Sequence, residues 1–272
     1  MSQLVDLHMH TLHSDGILSV KDLINLAKTR GVEIMSINDH DTVKGVMEMK
    51  TLEVSGIIVL CGIELSNSFN GCGTIHITGY FPPTADFEAL QAILEERVSQ
   101  KRIQRAKKMV ELLSGDGIQI TWEDLMSHCK NCLPSRPRIA EVLVQNGYGK
   151  TVAEVFDHYL TNSSKYYVAG SYMPPKETIQ LIHQFGGVAS LAHPWLLKQR
   201  EEVMEEVVRC GIDGMECFPP SHLAETGTTF YLDFAHKHDL IATSGSDYHG
   251  TKSPEVLPGN NIFPTEEKEK TI

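Results

Sequence analysis

Five short apolar runs in this chain each end on, or within three residues of, a histidine or an acid. They lead to His8, His40, Glu64, His193 and Asp247. Between the runs lie stretches with apolar residues at helical spacing, such as Val20, Leu23, Ile24 and Ala27 after a candidate N-cap at Ser19. Alternation of this kind predicts an α/β barrel or a doubly wound sheet. The polar residues favour the barrel, because α/β barrels gather their chemistry at the C-terminal ends of the strands. Closure would also set His8 and His10 beside Asp247 and His249.

The pattern predicts strands over 4–8, 34–38, 57–63, 74–80, 188–192, 214–217 and 241–244. The third is a continuous apolar run and is expected to be buried on both faces. At Pro82-Pro83 the rhythm changes, and helices are expected over 86–114, 122–130, 136–146 and 152–160. We read 85–169 as an inserted helical cap between the barrel segments 1–84 and 170–272. A chain of 272 residues has room for this arrangement or for two small domains.

Composition narrows the function classes. Hydrophobic residues make up 41% and charged residues 22%, as in soluble globular proteins. No apolar run approaches the roughly 18 to 20 residues that span a bilayer. The N-terminus enters Leu4-Val5-Asp6-Leu7 at once, without a basic leader, so a cytoplasmic protein is expected. The six cysteines then read as reduced thiols. Cys129 and Cys132 form a lone CxxC; two ordinary thiols on one helix are favoured over structural zinc or redox use. A net charge of −11 opposes passive binding to a nucleic acid backbone, so no duplex partner is expected, and no membrane partner is expected either. A small anionic substrate is compatible with it, and a monomer or weak oligomer is expected.

Imidazole and carboxylate are the usual ligands of zinc, manganese and iron. On a strand, residues two apart face the same side, so His8 and His10 aim at one point, and Asp247 and His249 repeat the device. Glu64 can bridge two cations. Pro194 is expected to hold His193 extended at the strand end. One such feature alone is accidental as a rule. Together His8, His10, Asp15, His40, Glu64, His76, His193, Asp247 and His249 point to a metal centre. His13 is the near miss in the first motif, and Asp41 is expected to cap the helix after it. Trp122 and Trp195 read as packing residues rather than base-stacking platforms.

These motifs resemble those of the PHP family, named for polymerase and histidinol phosphatase domains. The matching stretches are DLHMHTLHSDG at 6–16, INDHDT at 37–42, GIELS at 62–66, TIHITGY at 74–80, LAHP at 191–194 and GSDYHG at 245–250. The resemblance implies a distorted (β/α)7 barrel with three divalent transition-metal ions (manganese, zinc or iron) in its mouth. His8, His10, Glu64 and Asp247 would hold one ion. Glu64, His76 and His193 would hold a second, and Asp15, His40 and His249 a third. The acid at position 15, where some relatives carry His, slightly favours a harder metal. Within the insert, Arg136-Pro137-Arg138-Ile139-Ala140 is similar to a helix start of nucleotide-processing members, which often have His at the place of Arg138. Pro220-Ser221-His222 is similar to their substrate loop.

The implied activity is phosphoester hydrolysis by a metal-bridging hydroxide, with Glu64 and Asp247 at the reacting centre and His222 as a candidate acid. A nucleoside 3′,5′-bisphosphate is the favoured substrate, and the 5′ ends of short oligonucleotides are a further one. A ribosyl 1,2-cyclic phosphate is the alternative. A non-catalytic, metal-stabilised PHP module and an amidohydrolase-like enzyme are the rivals from other classes; the complete ligand set opposes the first, and the absence of a lysine at a predicted strand end opposes the second. Segment 97–108 holds Arg97, Lys101, Arg102, Arg105, Lys107 and Lys108 with no acid. It reads either as a solvated face or as a grip for a second phosphate. In the second reading Arg97, Arg102, Arg136, Arg138, Lys165, Ser221 and His222 contact substrate.

Overall fold

The computed structural model describes residues 4–69, 73–129, 132–197, 199–219, 227–250 and 256–259. Among them seven strands form one sheet in chain order: β1 (Val5–Asp6), β2 (Ile34–Ile37), β3 (Ile58–Phe69), β4 (Gly73–Phe81), β5 (Val188–Leu191), β6 (Gly214–Glu216) and β7 (Ile241–Thr243). The strands beyond β4 and before β3 run parallel to their neighbours, but β4 is antiparallel to both β3 and β5. The sheet edges meet just past β1 and β7. Leu7 N–H donates to Ser244 O at 2.9 Å, Asp247 N–H to His8 O at 2.9 Å and His10 N–H to Tyr248 O at 2.9 Å. The result is a distorted barrel rather than an open wound sheet.

Simple βα repetition therefore fails at β3 and β4, which form a hairpin. β3 is longer than its apolar run, and it is not buried on both faces throughout: Ile58 is 57% exposed. Residues from Cys61 on pair with β4 and sink into the core. Alternation around His76 signals this second half, because an antiparallel strand can keep one wet face.

Local signals place the barrel helices. α1 (Val20–Thr29) starts at Ser19, whose hydroxyl accepts Asp22 N–H, and buries Val20, Leu23, Ile24 and Ala27. α2 (Lys44–Met49) has no side-chain cap. Asp41 does not serve it. It has a left-handed backbone (φ 55°), accepts Ser66 N–H at 2.8 Å and pairs with Arg102. α8 (Pro175–Gln184), α9 (Arg200–Arg209) and α10 (Gly227–Lys237) complete the barrel layer.

The stretch after Pro83 is helical: α3 (Phe87–Leu94), a π-turn segment Glu95–Ser99, α4 (Gln100–Gly115), α5 (Trp122–Cys129), α6 (Arg136–Gln145) and α7 (Val152–Val155). α3 packs on the sheet core, whereas Met109, Leu113, Leu125, Ile139, Leu143 and Leu160 build a second apolar cluster. Trp195 and Trp122 pack against the first and second clusters respectively. Cys129 and Cys132 are buried free thiols. Among the described residues no helix is long and apolar enough to cross a membrane.

Candidate metal centre

The fold gathers all nine histidines and acids singled out above, seven of them from the segments beyond the strand ends and two from within β3 and β4. Met9 bridges to Tyr248 and is fully buried, so His8 and His10 flank it on the opposite side. Glu64 lies on β3, bridged to His40, and His76 lies on β4. His193 and Asp247 follow β5 and β7 with left-handed backbones, φ 31° and 54°. The expectation of an extended His193 is thus overturned. Its N–H is drawn to the Glu216 carboxylate at 2.7 Å, which outweighs the preference that Pro194 imposes.

Glu64 is the hub. Its Oε2 lies 3.3 Å from His8 Nε2, 3.3 Å from His10 Nε2 and 2.9 Å from His40 Nδ1. Its Oε1 lies 2.9 Å from both His76 Nδ1 and His193 Nε2. Asp247 Oδ1 approaches His10 Nε2 at 3.1 Å and His8 Nε2 at 3.5 Å. Asp15 Oδ1 approaches His249 Nε2 at 3.1 Å and His40 Nε2 at 3.8 Å.

Three groups have donor atoms within 4.8 Å of one another: His8, His10, Glu64 and Asp247; His10, Asp15, His40 and His249; and His40, Glu64 and His76. His8 Nε2, His40 Nδ1 and Glu64 Oε2 are buried and near each other, yet have no hydrogen-bond partner among the described residues. Buried polar atoms are normally satisfied. Converging nitrogen and carboxylate donors, some of them left unsatisfied, fit divalent transition cations.

A buried carboxylate holds the first loop in place. Asp39 accepts Thr11 N–H at 2.8 Å, Thr11 O–H at 2.7 Å and Ser14 O–H at 2.6 Å. Gly16 completes the turn, since a Cβ there would lie 2.4 Å from His10 O. His13 turns away to Glu48 at 2.6 Å and joins none of the groups.

The field inside the cluster is strong. Burial pushes the Glu64 carboxyl up, but His40, His76 and His8 reverse this and hold it well below the usual range. Burial pushes His249 down, but Asp15 and Asp247 outweigh it and lift it to about 9. This has a consequence for pH. A raised imidazole stabilises the metal-free fold fully below its ordinary value of 6.5, and that contribution is lost as pH rises through about 9. Metal needs the neutral imidazole, so binding displaces the proton. We expect the melting temperature of the metal-free protein to fall between about pH 6.5 and 9, while the gain on adding Mn²⁺ grows over the same window. Thermal unfolding with and without metal checks this; parallel pH curves would refute it.

The basic residues divide. Arg102 is buried on α4 and paired with Asp41, next to His40. Arg138 donates to Ser14 O and Gly16 O, both at 3.1 Å, and pairs with Glu141 at 2.9 Å. It thus braces the turn that carries Asp15. Arg136 is half-buried over Phe156 and Tyr167 and donates to Leu160 O and Asn162 Oδ1. Arg97 is exposed, and exposed Lys165 pairs with Asp116. Ser221 and His222 lie outside the described residues.

Sequence reasoning gave no role to Asp39 or Glu216. Glu216 is 1% exposed and touches His8 and His193. An acid directly after a predicted apolar run, as at Glu64, was the available signal.

The PHP domain pattern matches residues 6–210. The chain belongs to the PHP family. It is 32% identical to a 3′,5′-nucleoside bisphosphate phosphatase of Chromobacterium violaceum, over 90% of this chain and 87% of the relative. It is 28% identical to a 5′-3′ exoribonuclease of Haemophilus influenzae, over 92% and 91%. A structure described as a metal-dependent phosphoesterase from Bifidobacterium adolescentis superposes with a TM-score of 0.84 at 30% identity, covering 98% of this chain and 94% of that one. This PHP protein is accordingly a metal-dependent phosphoesterase.

Proposed function

We propose that this PHP protein hydrolyses phosphate esters of nucleotides, with a nucleoside 3′,5′-bisphosphate as its best substrate. His8, His10, Glu64 and Asp247 would hold one cation, Glu64, His76 and His193 a second, and Asp15, His40 and His249 a third. When bound, such ions polarise phosphoryl oxygens and make water acidic enough to act as a nucleophile near neutral pH.

The observation that carries the substrate assignment is a cluster of arginines beside these groups. Arg102, Arg105, Ser135 and Tyr172 line one small cleft that must widen to admit a phosphate. Arg102 is near enough to His40 and Asp15 to shift or feel their charge. Arg105 donates to Val168 O and Tyr172 Oη, both at 2.7 Å, while its buried Nη2 has no hydrogen-bond partner among the described residues. Burial, Arg105 and Arg102 all lower the Arg136 guanidinium from its usual range. Guanidiniums crowded in this way are relieved by an anion, and their planar forks suit a phosphate. A substrate with one phosphate at the metals and another here uses both features. The chain's similarity to the bisphosphate phosphatase supports the same reading.

The test is a substrate panel containing a nucleoside 3′,5′-bisphosphate, a ribosyl 1,2-cyclic phosphate, a short 5′-phosphorylated oligonucleotide and p-nitrophenyl phosphate, with products identified. A kcat/KM for the bisphosphate no better than for the aryl phosphate would refute the assignment. Arg105→Ala and Arg136→Ala should each raise KM for the bisphosphate roughly tenfold, about 1.4 kcal/mol. The aryl phosphate, lacking a second phosphate, should be little affected. Equal losses on both substrates would place these arginines at the scissile group instead.

A further inference from the structure

Glu216 ends β6 beneath the metal centre and belongs to none of its three donor groups. Both of its oxygens are engaged. Oε1 lies 2.7 Å from His8 Nδ1, and Oε2 accepts the backbone N–H of His193 at 2.7 Å. We propose that Glu216 is a positioning residue that sets the tautomer of His8 and the backbone of His193 together, and so aligns two of the proposed ion sites. The inference rests on the ligand assignment above.

An ionised carboxylate only accepts hydrogen bonds, so the proton of a neutral His8 ring must sit on Nδ1. The lone pair then lies on Nε2, which faces Glu64 Oε2 at 3.3 Å and Asp247 Oδ1 at 3.5 Å. Nε2 has no hydrogen-bond partner among the described residues. The opposite tautomer would turn an N–H toward the cation position. His193, at φ 31°, adopts a conformation that non-glycine residues seldom enter and that persists only where the surroundings impose it. The bond to Glu216 supplies such a constraint, and it places His193 Nε2 at 2.9 Å from Glu64 Oε1. One carboxylate therefore sets a ligand of the first proposed ion site and a ligand of the second. Carboxylates behind metal-bound histidines generally act in this way, and losing one costs roughly 10–100-fold in metal affinity.

Glu216→Gln separates this role from simple packing. A carboxamide has one accepting oxygen and one donating NH2, so it can bond both His193 N–H and His8 only if the His8 proton moves from Nδ1 to Nε2. In zinc-loaded protein labelled at histidine, ¹⁵N–¹H two-bond spectra of the wild type should show the His8 ring with its proton on Nδ1, beside other rings of that tautomer such as His249, whose Nδ1 donates to Asp247 O. The signal is assigned to His8 by its loss in His8→Ala. In E216Q this signal should shift or vanish, and chelator competition should show zinc affinity reduced by tenfold or more, with an unchanged circular dichroism spectrum. An unchanged ring signal and affinity in folded E216Q would overturn the proposal while leaving the ligand assignment intact. A wild type that holds no zinc would overturn both. If E216Q does not fold, Glu216→Asp is measured in the same assays. It keeps the charge but is too short to reach both partners, so the same losses are expected and their absence overturns the idea.

Discussion

Glu64→Ala should abolish phosphatase turnover while leaving the fold largely intact. The Glu64 carboxylate stands within 3.3 Å of five imidazoles, His8, His10, His40, His76 and His193, and no other acid of the cluster reaches so many of them. Its removal takes a negative charge from the shared centre of two proposed ion sites and leaves buried imidazoles facing one another. The loss in kcat should exceed the roughly 10–100-fold typical of losing a carboxylate behind a ligand. Elemental analysis of the wild type after Mn²⁺ loading and desalting should give about three ions per chain, and the variant should retain fewer. Circular dichroism should be near normal, because β3 keeps its ladder with β4 around position 64. Near-normal turnover would contradict Glu64 as the hub, and one ion or fewer in an active wild type would refute the trinuclear arrangement.

Gly245→Ala should be nearly as damaging although it removes no functional group. An added Cβ would lie 2.1 Å from His8 Cβ, 2.8 Å from His8 N and 3.0 Å from Glu216 Oε1. None of these is the loose end of a flexible side chain. Relief requires the chain past β7 to move away from His8, and that is the seam where the barrel closes. Overpacking of this kind costs about 1–3 kcal/mol. The larger effect is geometric: a displacement of about 1 Å in a reacting centre can cost on the order of 100-fold in rate. We expect a small drop in melting temperature, a kcat loss near 100-fold and weakened metal binding. Turnover within a factor of a few of wild type would show that the seam tolerates the methyl group and that His8 is not held as tightly as its contacts indicate.

Much of this protein was legible in one dimension because metal ligation demands particular atoms. Only a few residue types supply them, so HxH at 8 and 10, the acid at 15 and DxH at 247 and 249 stand out against apolar runs. Helical spacing and the Ser19 cap were equally local and predicted α1 correctly. The helical stretch between Pro83 and Tyr159 was visible for the same reason, apart from the π-turn segment Glu95–Ser99 within it.

What the chain does at a distance was not legible. Strand direction depends on which neighbour a strand meets, so the antiparallel placement of β4 could not be read from its own residues. Asp41 resembled a helix cap because its partner, Arg102, lies 61 residues away on α4. Arg138 looked free to grip substrate, and in the fold its guanidinium braces the carbonyls of Ser14 and Gly16. His193 was expected to be extended because Pro194 restricts it, while its conformation is set by Glu216 across β5 and β6. Which atoms are available to bind metal, and roughly where strands and helices lie, depend on residue type and short-range spacing, and both are read from the amino-acid order. Which carboxylates face the proposed cations and which hold the histidines in place is a matter of the folded chain, because barrel closure and buried groups that must find a partner make that choice.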